Sequence, residues 1–139
     1  MDEARRQQWA RVVVLVGVMY ALIGVVFAWP TTHVRVWRLA AWLVSAAAYA
    51  AHIGYERFGL RSAPHRAALH VALAVALGAF GLAVAATIHS LSVVSTNQHH
   101  RLLLVALVVW PIMTGLPAFL VALGASEVLA RLPWNARAE

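Results

Sequence analysis

The chain has 139 residues, of which 63% are hydrophobic and only 12% charged, and its mean hydropathy is +0.76. A soluble domain carries about twice that share of charge, so the composition points to an integral membrane protein and excludes a disordered chain. The absence of cysteine excludes a disulfide scaffold, thiol redox chemistry and cysteine metal sites, while the net charge of +6, spread over helix ends, is no argument for a nucleic-acid partner.

A helix needs roughly 20 apolar residues to cross a hydrocarbon layer about 30 Å thick. Four stretches meet that length between charged residues. Val12 to Trp29 runs from Arg11 to Pro30, behind Arg5 and Arg6. Phe27-Ala28-Trp29-Pro30 has no small-x-small cleavage pattern, so this stretch reads as a retained helix rather than a secretory signal. Leu39 to Tyr55 follows, between Arg38 and Glu56, with His52 near its end. The third, Ala67 to Ser90, has His70 and His89 near its two ends. The fourth, Leu102 to Ser126, lacks an ionisable side chain until Glu127 and is longer than the hydrocarbon layer, so it must tilt or bend. Pro111 and Pro117 offer the bend, and Thr114 is placed to satisfy the backbone groups they free.

The expected fold is therefore all-α: a single membrane domain over residues 1–139, an antiparallel four-helix transmembrane bundle with helices near 11–29, 36–55, 67–90 and 102–130. All eleven basic side chains are arginines. With the N-terminus inside, Arg5, Arg6, Arg11, Arg57, Arg61, Arg66, Arg131 and Arg137 lie on the inner side against Arg35, Arg38 and Arg101 outside. That asymmetry predicts an inner-membrane protein with both ends in the cytoplasm. Trp9 and Trp134 on the inner side, and Trp29 and Trp37 on the outer, fall where amphipathic rings anchor at headgroups.

In lipid, helices associate through close packing of small residues and through polar contacts. The first helix spaces Gly17, Ala21, Gly24 and Ala28 by four, three and four residues, and the third spaces Ala74, Gly78, Gly81 and Ala85 in the same way. Each set makes one smooth face.

Three groups of polar residues are candidates for chemistry. Ser45, Tyr49, His52 and Glu56 share one face of the second helix, and ionisable groups within a span are costly and therefore a functional-site hypothesis by default. The plainer reading puts Glu56 among the headgroups beside Arg57. His52 and His70 stand about a turn from the two ends of one hairpin, a placement that would let them ligate a b-type haem with Arg57, Arg61 and Arg66 near its propionates. His33, His89, His99 and His100 fall in or next to the two outer connections; imidazoles suit zinc, copper or nickel, but the spacing is not that of an established ligand set. Glu127 and Arg131, four apart, read as an intrahelical pair.

No Walker or dinucleotide loop and no nucleophile with a nearby base is present in this pattern, so an enzyme is not the expectation. The sequence favours a non-catalytic multi-pass protein in the lipid bilayer, a homo-oligomer or an accessory subunit of a larger membrane complex. The alternatives are a haem protein using His52 and His70 and a small oligomeric transporter or channel using the stripe from Ser45 to Glu56.

Overall fold

The computed structural model describes residues 3–28, 32–92 and 97–131. These residues form helices α1 (Glu3–Ala28), α2 (Val34–Gly54), α3 (Pro64–Ser92) and α4 (Asn97–Arg131), with a π-helical turn, Tyr55–Gly59, continuing α2. The described residues contain no strand, and the all-helical expectation holds. Segments Gln7–Ala28, Pro64–Ser90 and Leu102–Arg131 are each long and apolar enough to cross a membrane. With 21 residues, α2 has the length but less apolar content, because Arg38, Ser45, Tyr49 and His52 dilute it. It turns part of that polarity inward: Tyr49 hydrogen-bonds to α4, and His52 is buried.

The helix ends follow from local sequence. Pro64 opens α3, where a missing backbone N–H costs nothing, and the carbonyl of Ala63 accepts from Arg66 and Ala67 at 2.9 Å each. His33 enters α2 in the left-handed region, φ 53°, and its carbonyl takes the first hydrogen bonds of that helix, from Val36 and Trp37. After the π-turn the chain reverses through Arg61, φ 49°, while Leu60 N–H returns to Tyr55 O and Ser62 N–H to Glu56 O. Those two bonds close the turn on itself before α3 begins.

α4 runs unbroken through Pro111 and Pro117 for 35 residues, about 52 Å at the usual rise, well beyond one hydrocarbon thickness. Thr114 does not serve the carbonyls freed by the prolines, those of Leu107 and Met113. Its hydroxyl instead donates back to Trp110 O at 2.9 Å and to Pro111 O at 3.2 Å, the ordinary reach of a threonine to the preceding turn. Glu127 and Arg131 are both exposed, and among the described residues no ion pair joins them.

α3 lies at the centre, packed chiefly against α4 and α1, whereas α2 touches α3 and α4 little. α1 and α3 run in parallel, since their contacts advance together from Trp9 against His70 to Gly17 against Leu77 and Gly24 against Leu82. The two smooth faces meet here. A methyl group on Gly78 would stand 2.5 Å from Tyr20 Cβ and 3.1 Å from the Gly17 carbonyl, and one on Gly81 3.0 Å from Ala21 Cβ. Glycine is required at Gly78 because two backbones approach there, not for its φ. Ala74 is fully buried, Ala85 partly, and Ala28 is exposed at the end of α1. Against α4, α3 presents Ala72 and Ala76 to Gly115, and Ala68 and Val71 join Ile53 and Ala122 in a small apolar core flanked by Tyr49, Phe119 and Leu123.

Candidate functional site

Ionisable side chains in an apolar bundle are expensive, so their location is informative. Glu56 lies in the π-turn and is fully buried within the protein. A π-turn accommodates one more residue than an α-turn and re-aims the side chains within it; such turns occur often at functional sites. Here the turn sits where α2 meets the hairpin, and Glu56 faces the start of α3.

The carboxylate gathers three partners. Ser62 Oγ donates to Oε2 at 2.9 Å, and His70 Nδ1 stands 3.1 Å from the same oxygen, donating when that nitrogen carries the proton. His52 Nε2 lies 3.9 Å from the other oxygen, Oε1, within ion-pair reach but beyond hydrogen-bond distance. Oε1 and both nitrogens of His52 are buried without a hydrogen-bond partner. Arg57 is turned away from the carboxylate: Nη1 donates to Ser62 O at 2.5 Å. It thereby fixes the backbone of the residue whose hydroxyl holds Glu56.

Trp9, from the first turns of α1, covers His70, the two rings stacked at 4.7 Å and within 2° of parallel. It is a wall of this site, and its indole N–H is buried without a partner. Trp37 packs edge-on against Phe27 at the opposite end, whereas Trp29 and Trp134 lie outside the described residues. Ser126, on α4, is fully buried with an unpartnered hydroxyl.

One carboxyl and two imidazoles thus share a closed space, the carboxyl within 4 Å of each ring. A buried net charge is costly, whereas a carboxylate facing one protonated imidazole, or a carboxylic acid between two neutral rings, is electrically balanced. The arrangement sets one carboxyl within hydrogen-bond reach of His70 and within ion-pair reach of His52.

His52 and His70 are brought together, as their places in the hairpin imply, and both face Glu56, at 3.9 and 3.1 Å. Neither of the two cavities described is lined by both rings. Of the stripe on α2, Ser45 and Tyr49 instead line a separate cavity of about 540 Å³ between the helices, and Tyr49 OH donates to Ala118 O. At the other end of the bundle, His33 and His89 are exposed, while the side chains of His99 and His100 lie outside the described residues. Among the described residues no group of three or more His, Asp or Glu is placed to hold a metal ion.

Two residues of the site escape a reading by pattern. Trp9 carries a weak signal, its place at the same end of a parallel helix as His70; Ser62 carries none. Comparison of the chain with protein-family models, with curated proteins and with solved structures finds no match.

Proposed function

We propose that this chain is a proton-linked membrane transporter, without covalent catalysis, in which Glu56, His52 and His70 form the proton-binding centre. The observation that carries the reading is the complete burial of Glu56 with one oxygen engaged by Ser62 and His70 and the other left facing His52. Purely structural ion pairs in lipid gain most when every acceptor is used. An unpartnered carboxylate oxygen opposite an unpartnered imidazole suits a group that changes partners as it loads and releases a proton. His70 holds the proton in one state, and His52 receives it when its ring closes the remaining distance to Oε1.

The arginine asymmetry supports placing this end of the bundle at the cytoplasmic face of an inner membrane, with both tails inside. Full-length protein in liposomes enclosing a pH dye tests the function. An external acid step acidifies the lumen with wild-type protein, and the rate falls at least tenfold with Glu56→Gln, which keeps the shape and removes the charge. An unchanged rate overturns the proposal. Labelling of single cysteines introduced into either tail tests the orientation in intact cells, and modification by an impermeant reagent from outside overturns it.

A second reading, a self-associating or accessory subunit of a larger membrane complex, is favoured by the loose hold on α2. That helix leaves Trp42 77% and Leu43 72% exposed, a face open to a partner helix as well as to lipid. The smooth faces of α1 and α3 lend it no support, since each covers the other. A single-copy mass in nanodiscs, together with no co-purifying protein from the native membrane, counts against it.

A further inference from the structure

The cavity that Ser45 and Tyr49 line lies apart from Glu56 and draws walls from all four helices. Its volume, about 540 Å³, falls in the range of pockets that enclose a small molecule, and the spaces between helices of a bundle are a usual place for them. Its origin is local. Small residues on α2 (Ala41, Ser45, Ala46) stand opposite small residues on α3 (Gly78, Ala79), and no long side chain fills the gap.

The lining restricts the occupant in three ways. No charged side chain lines the cavity, so an ion would be buried without compensation, and the ligand is uncharged. Trp42 and Trp110 line it and are also exposed at the lipid side, 77% and 55%, which supplies aromatic faces to a flat ring entering from the membrane. The Tyr49 and Thr114 hydroxyls already donate to backbone carbonyls, whereas Ser45 has no hydrogen-bond partner among the described residues and the Tyr20 hydroxyl is buried without one. Two unused donors in an apolar wall call for an acceptor on the ligand.

We infer that this cavity binds one uncharged, membrane-soluble ring compound bearing a carbonyl acceptor, of which quinones are the type. The ring lies among Trp42, Trp110 and Met113, its tail leads into lipid, and Ser45 donates to the carbonyl. Tyr20 adds a second donor when its hydroxyl turns toward the ligand.

The test is tryptophan quenching of the full chain in nanodiscs by decylubiquinone. Saturable quenching is expected, lost when Trp42 and Trp110 are both replaced by phenylalanine and abolished by Ala46→Phe, which fills the space. Ser45→Ala weakens binding about fivefold, the worth of one hydrogen bond. Where Ala46→Phe does not fold, Ala79→Leu is read in its place. Quenching that never saturates, or that both cavity-filling variants leave intact, overturns the inference. Equal competition by decanol overturns it too, because the cavity is then a berth for an acyl chain with no preference for a ring or a carbonyl.

Discussion

The seam between α1 and α3 and the gap beside α2 are built from similar small residues with opposite results. Along the seam, each small residue receives a large one from the facing helix: Gly17 receives Leu77, Gly24 receives Leu82 and Gly78 receives Tyr20. Around the gap, Ala41, Ser45 and Ala46 of α2 stand opposite Gly78 and Ala79 of α3, and one phenol, Tyr49 reaching Ala118 O, ties α2 to α4. In lipid, where apolar side chains gain little by leaving the solvent, close van der Waals fit is the main attraction between helices. A row of small residues therefore does not by itself bring helices together. It does so when a knob on the neighbour enters it, and otherwise it leaves room for a guest.

The contrast can be broken most forcefully at the seam. Gly78→Leu drives a side chain into Tyr20 and the α1 backbone, and should cost more than about 3 kcal/mol, read as loss of the folded state in a detergent-unfolding titration. The gap is more forgiving. Tyr49→Phe removes the bridge to α4 and should cost about 1 kcal/mol by the same titration, the usual worth of a polar contact between membrane helices, while leaving the α1–α3 seam intact. The smallest effect belongs to a position that neither region uses. A methyl group on Gly124 meets nothing within 4 Å, so Gly124→Ala should raise stability by about 0.5–1 kcal/mol through helix propensity alone. If Gly78→Leu were as mild as Gly124→Ala, the knob-and-hole account of the seam would fall.

Much of this architecture is written in the chain. Hydropathy marks the helices, and the equal spacing of Gly17-Ala21-Gly24 and Ala74-Gly78-Gly81 marks two faces suited to close packing. Their pairing with each other is not written there, because spacing describes one helix at a time and partner choice depends on which long side chains point back. The polar stripe shows the same limit. Ser45, Tyr49, His52 and Glu56 do lie along one side of α2, yet the first two line a cavity while His52 and Glu56 are sealed beside α3. A regular α-helical wheel cannot anticipate the aim of Glu56, since the π-turn departs from the wheel at Tyr55, and the parting of His52 from Tyr49 depends on which helices each meets. The depth match of His52 and His70 follows from counting turns along the hairpin. The carboxylate that stands between them, and the Trp9 ring that covers His70, belong to tertiary structure.

The π-turn makes the position of Glu56 a matter of arithmetic. One residue more per turn means that loss of a single residue between Tyr55 and Gly59 would restore α-helical winding and re-aim the side chains of that turn, Glu56 among them. The acid's aim is thus tuned by chain length at one spot as much as by amino-acid type. A shortened descendant could keep every polar side chain described above and still lose their meeting point.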